Sequence, residues 1–263
     1  MNPDSAIPSL IVGREGAVAT IAFNRPQALN AIDVPMAQGF LAAVKAIAAD
    51  PGVRAVLMRG EGKGFMAGGD LALLGADPQG GAAALIGPLH EALVVLASID
   101  APVVAQVHGV AAGAGLSLML QADFVLAAEG TRFNLAYVNI GTSCDVGASW
   151  ALPRRVGLRH ALEIALLGDT LEAADAEQMG LVNRVLPADT LPAEAMELAQ
   201  RLAAGPTVAL GQLRRLIRGS LGRELAAQLD AEAAAFQICA ASADFRLGVD
   251  AFFAKTKPDF TGR

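Results

Sequence analysis

Two glycine-rich segments stand where backbone amides could bind a negatively charged oxygen. The first, residues 60–70, follows a predicted strand at residues 55–59 and leads into a predicted helix. The second, residues 109–115, lies between a predicted strand at residues 102–107 and a helix that begins near Ala114. Glycine permits positive φ angles and close approach, and a helix start carries unpaired N–H groups. Two such turns can direct two donors at one carbonyl oxygen, as in an oxyanion hole, although each alone is also typical of an ordinary strand-to-helix turn.

The composition favours an α/β protein with a large buried core. The chain has 263 residues, of which 54% are hydrophobic and only 17% charged, enough for one large domain or one core with an appended piece. Its net charge of −6, without a long basic run, argues against a nucleic-acid-binding protein. Cys144 and Cys239 lack metal-ligand spacing, which indicates a reduced, cytoplasmic protein without a metal site.

No segment has the pattern of a signal peptide or a membrane span. The N-terminal sequence MNPDSAIPSL lacks a basic region followed by a long apolar stretch. The most apolar run, residues 103–128, is interrupted by polar residues and glycines and is predicted to be buried core. We therefore expect no membrane partner.

The elements that must hold the two turns can be predicted in outline. A hairpin is expected at residues 9–12 and 18–23, and Asp33 and Asp70 are expected to cap helices. A short helix that runs into Pro153 and a second helix at 158–167 are also expected. Residues 75–87 lack periodicity and are expected to form a mobile loop or short helix, before a helix at 89–99. From residue 192 onward the pattern is helical: 192–204, 206–218, 221–241 and 243–254. We divide the chain into a mixed core, residues 1–190, and a helical C-terminal oligomerisation module, residues 191–263.

Several stretches, taken together and in order, resemble one known family. The chain is similar to the crotonase (enoyl-CoA hydratase/isomerase) superfamily in RPQALNAI (25–32), VRAVLMRGEGKGFMAGGDL (53–71), PVVAQVHGVAAGAGLSLML (102–120), HALEIALLGDTLEAADAEQMGLVNRVLP (160–187) and FFAKTKPDFTGR (252–263). The resemblance implies an α/β fold, a crotonase-like spiral of repeated ββα units with a C-terminal helical trimerisation module. It also implies a homotrimer or a dimer of trimers, and an acyl-CoA thioester as substrate with no further cofactor.

The resemblance assigns binding roles to particular residues. It places the thioester oxygen between the backbone N–H groups of Gly69 and Ala114, where an enolate oxygen would gain charge. Coenzyme A contacts are expected from Ala28, Leu29 and Ala67. Phe236 and Lys255 match positions that reach a neighbouring subunit's coenzyme, although Lys255 could equally be a solvated tail lysine.

The side chains at the family's catalytic positions depart from the hydratase pattern. The two glutamates of hydratases are replaced here by Ser117 and Tyr137, neither of which is a good base at neutral pH. Ser117 lies one helical turn after Ala114, so its side chain is still expected to face the substrate. Asp145, flanked by Cys144 and Val146, matches the aspartate that acts as base in certain enoyl-CoA isomerases and in ring-epoxide isomerases of phenylacetyl-CoA breakdown. Its alternative role is to cap the helix that follows.

These residues favour an isomerase but leave other reactions open. We expect Asp145 to move a proton between two carbons of an enoyl-CoA while Tyr137 donates a hydrogen bond or shapes the acyl pocket. His90 matches a histidine of 4-chlorobenzoyl-CoA dehalogenase, so aryl-CoA dehalogenation or thioester hydrolysis is an alternative, although a lone helical histidine is more often a packing residue. Hydration is a further alternative, and a catalytically silent acyl-CoA binder or RNA-binding relative is another.

Overall fold

The computed structural model describes residues 8–263, and residues 1–7, on which part of the signal-peptide prediction rests, lie outside them. The strands are β1 (Leu10–Glu15), β2 (Val18–Phe23), β3 (Ala55–Gly60), β4 (Val103–Val107), β5 (Val110–Ala112), β6 (Phe124–Ala128), β7 (Arg132–Asn134), β8 (Leu171–Glu172) and β9 (Arg184–Leu186). The helices are α1 (Val34–Ala49), α2 (Leu71–Ala76), α3 (Pro78–Ser98), α4 (Ala114–Met119), α5 (Ala148–Leu167), α6 (Ala173–Gln178), α7 (Leu191–Ala203), α8 (Thr207–Ser220), α9 (Leu225–Ala240) and α10 (Ala243–Ala254). Short 3-10 helices occupy Pro26–Ala28 and Tyr137–Ile140.

The strands form two sheets that confirm the predicted α/β architecture. Within residues 8–263, six strands form one sheet in the order β1-β2-β3-β4-β6-β9, and β5-β7-β8 form a second. The expected hairpin is the antiparallel pair β1–β2, and β2, β3, β4, β6 and β9 then run parallel. Parallel pairing brings the carboxyl ends of β3 and β4 to the same edge of the sheet. Both glycine turns therefore leave the sheet side by side.

Helices cover both faces of the large sheet. On one face α1 and α3 pack together over the main core, in which Phe23, Phe40 and Phe65 form tilted and edge-to-face aromatic pairs. On the other face α7 buries a row of small and branched side chains against β3, β4 and β6. Strands covered on both sides read as continuous apolar runs, as in β4, whose residues are all buried. The predicted domain boundary after residue 190 stays a prediction. The helix that follows it, α7, packs on the large sheet.

Residues 75–87, expected to form a mobile loop or a short helix, end α2 and begin the 21-residue helix α3, so the loop alternative is wrong and the helix is longer than expected. Asp77 caps α3 by accepting a hydrogen bond from the Gly80 N–H, and Pro78 occupies the first turn, where its missing N–H costs nothing. Burial of Gly81 and Leu85 then extends the helix through a stretch rich in glycine and alanine. The segment forms a wall of the cavity described below.

Other predicted elements differ mainly in length. Asp33 caps α1 through the Met36 N–H, as expected. The two predicted helices around Pro153 form α5, which is interrupted at Gly157, where φ is +78°. The four C-terminal helices are confirmed, with α9 beginning four residues later than expected, at Leu225.

The apolar run at residues 103–128 is divided among β4, β5, α4 and β6 and is largely buried, as predicted. By length and hydropathy alone α3 could cross a membrane. It nevertheless packs against α1 with Leu85, Leu89, Ala92 and Leu96 buried, as the core helix of a globular protein does. The length and hydropathy of α3 are therefore weak evidence for a membrane span. The absence of a membrane partner stays a prediction.

Candidate active site

The first glycine turn is held by the segment that precedes α1. Asn30 is fully buried, and its side-chain amide donates to the carbonyl groups of Glu61, Gly64 and Phe65. Ile32 forms a parallel bridge to Gly69 at the end of the turn. In this bridge the Ile32 N–H donates to the residue before Gly69, and the Ile32 carbonyl accepts from the residue after it, at 2.8 and 2.9 Å. The Gly69 peptide is thus fixed on both sides.

Arg25 ties the same region to the caps of α1 and α2. Its guanidinium lies 3.1 Å from Asp33 and 3.0 Å from Asp70, the residues that cap these helices. Partial burial by itself raises the pKa of the Asp70 carboxyl. The hydrogen bonds from Arg25 and from the backbone N–H groups of Leu73 and Ala72 outweigh it, so that this pKa lies below its ordinary value. Asp70 is a structural cap, as the sequence predicts.

The second turn packs directly on the first. The Ala112 N–H donates to the Met66 carbonyl, and a Cβ at Gly115 would come within 2.2 Å of that same oxygen. Gly113 has φ +51° and donates its N–H to the Asn134 carbonyl. Only glycine fits such an approach and such a backbone without strain. The glycines therefore serve to bring two turns into contact.

Two amides remain free where the turns meet. Within residues 8–263, neither the Gly69 N–H nor the Ala114 N–H has a backbone acceptor. A Cβ at Gly68 would lie 3.7 Å from the Ala114 nitrogen, which shows how close the two turns are. Gly69 and Ala114 line one cavity of about 690 Å³. An unpaired backbone donor at a cavity is suited to bind an oxygen atom of a ligand.

Asp145 and Tyr137 line the same cavity and contact each other. The Tyr137 hydroxyl donates a hydrogen bond to Asp145. Burial raises the pKa of Tyr137 above its usual range, and the negative charge of Asp145 raises it further. This phenol therefore stays protonated at neutral pH. Gly147, and not Asp145, caps α5, and the capping role that the sequence left open for the Asp145 carboxylate is excluded. A carboxylate held by a phenol and open to a cavity can act as a base.

His90 reaches the cavity from α3. Its Nε2 accepts a hydrogen bond from the Val146 N–H at 3.2 Å, beside Asp145. A ring nitrogen that accepts must be unprotonated, so the proton of the neutral imidazole lies on Nδ1. Within residues 8–263, the side chains of His108 and His160 have the backbone carbonyls of Gly62 and Val156 as their hydrogen-bond partners and do not line the cavity. These last two histidines are structural.

Ser117 does not line the cavity. It is fully buried on α4, and its Oγ lies 3.0 Å from the Tyr137 hydroxyl and 3.2 Å from the Gly113 carbonyl oxygen. The expectation that its side chain faces the substrate is therefore wrong, because Tyr137 covers it.

The expected coenzyme contacts are divided between two regions. Ala67 lines the cavity and donates its N–H to the Leu29 carbonyl, so Ala28 and Leu29 lie beside the first glycine turn. Phe236 on α9 packs edge-to-face on a phenylalanine of α10, and Lys255 follows α10. Neither lines this cavity, and their contact with a neighbouring subunit's ligand stays a prediction.

The apolar wall of the cavity is the part that the sequence did not predict. It is formed by α2 and α3 through Leu71, Leu74, Leu85, Ile86 and Leu89. The signal was present in Asp77-Pro78, a cap followed by a first-turn proline, and in apolar residues at 85, 89, 92 and 96.

Within residues 8–263, no group of three His, Cys, Asp or Glu side chains is placed to hold a metal ion. The residues present offer two N–H donors, one carboxylate and an apolar wall. This set can stabilise charge on a ligand oxygen while a proton moves at a nearby carbon.

Comparison with known proteins identifies the family of the chain. The family model described as enoyl-CoA hydratase/isomerase matches residues 13–263. The chain is 38% identical over 253 residues to the 1,2-epoxyphenylacetyl-CoA isomerase of Escherichia coli, covering 95% of this chain and 97% of that protein. It is 33% identical over 254 residues to the 2,3-dehydroadipyl-CoA hydratase of the same organism, covering 97% and 99%.

Solved structures show the same fold. The crystal structure of an enoyl-CoA hydratase from Polaromonas sp. JS666 superposes with a TM-score of 0.90 at 32% identity, covering 96% of this chain and 99% of that one. The match in sequence and in fold extends over nearly the whole chain, and the chain therefore belongs to the enoyl-CoA hydratase/isomerase family, with the crotonase fold.

Proposed function

We propose that this enzyme moves a double bond in the acyl chain of an enoyl-CoA thioester. The N–H groups of Gly69 and Ala114 bind the thioester oxygen. Asp145 takes a proton from the γ-carbon and returns it to the α-carbon, or the reverse. The observation that carries this proposal is that both free amides and the carboxylate line one cavity.

The chemistry needs only these groups. Removing the γ-proton moves its electron pair into the conjugated system and leaves a dienolate whose charge lies on the thioester oxygen. Two preorganised donors at that oxygen can stabilise the charge by about 3 kcal/mol each. The proton then returns two carbons away, no atom is gained or lost, and Asp145 ends in its starting state.

Hydration is less well supported than isomerisation. Adding water across a double bond in the family's usual way needs two carboxylates, one to activate the water and one to supply a proton. Here Ser117 is buried behind Tyr137, whose phenol is committed to Asp145. In the part of the chain that the structure describes, Asp145 is the one carboxylate that lines the cavity.

A panel of enoyl-CoA and aryl-CoA thioesters, incubated in heavy water and separated by liquid chromatography with mass spectrometry, tests the proposal. An isomerase produces a new peak of unchanged composition apart from exchanged hydrogen, a hydratase adds one water, and a hydrolase releases free acid.

We expect Asp145→Asn to lower isomerisation by at least ~10²-fold with nearly unchanged acyl-CoA affinity. Asp169→Asn, an exposed residue outside the cavity, is the matched control. Rapid hydration of crotonyl-CoA, or full turnover by Asp145→Asn, would reject the proposal, and binding without turnover would indicate a silent binder.

One observation favours a second candidate. His90 lines the same cavity as Asp145, so the carboxylate could displace the halide of an aryl-CoA and water could then hydrolyse the resulting aryl ester. His90 can take a proton from that water only after its Nε2 gives up the hydrogen bond from the Val146 N–H. The same panel decides, because this reaction releases halide and incorporates one oxygen from water.

The C-terminal helices carry exposed apolar side chains that support the expected assembly. Phe252 and Phe253 on α10 are each 78% exposed, far more than an isolated chain would be expected to leave in water. We infer that these surfaces pack in a homotrimer or a dimer of trimers, where Phe236 and Lys255 reach a neighbour's coenzyme. Light scattering after size-exclusion chromatography checks the stoichiometry. A cytoplasmic location is part of the same proposal.

A further inference from the structure

A buried serine lies behind the tyrosine that holds Asp145. Ser117 follows Ala114 by one turn of α4 and is inaccessible to solvent. Its Oγ lies 3.0 Å from the Tyr137 hydroxyl, which in turn contacts the Asp145 carboxylate. Ser117 touches neither the cavity nor Asp145, so any influence on the reaction must pass through Tyr137.

The carboxylate fixes the direction of the last hydrogen bond. An ionised carboxylate only accepts, so the single Tyr137 proton is directed to Asp145 and the phenol oxygen is left to accept. The one Ser117 hydroxyl proton has two acceptors in reach, the phenol oxygen at 3.0 Å and the Gly113 carbonyl oxygen at 3.2 Å, and the latter already accepts from the Ser117 N–H. With that proton directed to the nearer phenol oxygen, the hydrogen bonds run from Ser117 to Tyr137 to Asp145. Each donor strengthens the next, and the last bond is charge-assisted.

We propose that Ser117 is a positioning residue that acts through Tyr137 to fix the Asp145 carboxylate, with one oxygen bound to the phenol and the other left for the substrate proton. The inference rests on the proposed role of Asp145 as the base. It explains why a serine can occupy the position where hydratases of the family carry a glutamate: the hydroxyl supports a base on another loop. A carboxylate free to rotate would reach the transition-state geometry less often.

A double-mutant cycle tests the coupling. Ser117→Ala removes one hydroxyl from a helix and is well tolerated by helix propensity. We expect it to lower kcat about three- to tenfold, the value of one hydrogen bond, with little change in KM. In a Tyr137→Phe background the same substitution should cost nothing further, because the phenol oxygen is gone. Ser149→Ala, on the exposed surface of α5, is the matched control and should match wild type. An equal loss in both backgrounds would overturn the inference, since it would show that Ser117 acts without Tyr137.

A spectroscopic readout separates this inference from the proposed function. The chain contains one tyrosine, so carbon-13 labelling of the phenol carbon gives one signal, from Tyr137. We expect Ser117→Ala and Asp145→Asn each to shift that signal and Ser149→Ala to leave it unmoved. An unmoved signal in Ser117→Ala would overturn the inference whatever the kinetics. Full turnover by Asp145→Asn would instead reject the proposed base, and with it the catalytic part of this inference, even where the signal moves.

Discussion

Replacing Ala114 with proline removes one backbone N–H from the cavity, puts the ring Cδ in its place and breaks no other hydrogen bond of the described residues. Ala114 is the first residue of α4, a position where proline is favoured because its N–H has no partner within the helix. The Ala114 N–H has no backbone acceptor in the described residues, so the substitution breaks no structural bond. The preceding residue, Gly113, has no Cβ to press against the proline ring.

The magnitude follows from how the charge on the ligand changes. In the ground state the thioester oxygen is neutral, and losing one donor costs about 1 kcal/mol, or roughly fivefold in affinity. In the dienolate the oxygen is charged and the site is partly closed, since Ala114 is only 7% exposed. Losing one preorganised donor there costs about 10²- to 10³-fold in kcat, or about 3–4 kcal/mol. The remaining Gly69 amide leaves residual activity.

The assay compares kcat for isomerisation with the affinity for a saturated acyl-CoA that cannot react, measured by titration calorimetry. Ala243→Pro is the matched control, because Ala243 is the exposed first residue of α10 and its N–H has no backbone acceptor. Both variants should unfold thermally close to wild type. If Ala114→Pro folds normally and keeps kcat within threefold of wild type, the Ala114 amide does not bind the reacting oxygen and the mechanism is wrong.

Three further predictions concern charge. Because burial and Asp145 raise the pKa of Tyr137, the folded state holds that proton more tightly, and the stability it contributes is complete below about pH 10 and is lost at higher pH. Urea unfolding should therefore show wild type losing about 1.4 kcal/mol per pH unit relative to Tyr137→Phe above pH 10, and parallel curves would contradict it. Asp70→Asn keeps the cap but loses the charge facing Arg25, and should cost about 1 kcal/mol at pH 7. Because the pKa of Asp70 is lowered, that difference should start to shrink as the pH falls below about 4, the ordinary carboxyl pKa, and should be lost as the pH falls through the lowered pKa of the folded state; a difference that does not shrink below about pH 4 would rule out this cause. No lysine or arginine lines the cavity within residues 8–263, so acyl chains that end in a carboxylate should have kcat/KM values at least ~10-fold below uncharged chains of equal length; equal values would show that a cation reaches the acyl end.

Much of the scaffold could be predicted because its signals are local. Asp33 and Asp70 cap helices through their own next few residues, and the hairpin and the helix start at Ala114 follow from short patterns. The prediction of a mobile loop or short helix at residues 75–87 missed the long helix α3, because the signals that decide this segment are not local. Glycine and alanine have weak periodicity, and burial against α1 and the cavity decided the helix.

The sequence by itself determined the family, the two glycine turns and the replacement of the two hydratase glutamates by Ser117 and Tyr137, because these depend on residue type and spacing. The tertiary structure alone decided that Tyr137 donates to Asp145 and that Ser117 lies behind it. Those contacts depend on left-handed backbone at Ala136 and Val146, with φ of +54° and +51°, which neither residue type favours. Packing around these two positions, which no local pattern encodes, imposes the conformation and so places the acid side chain.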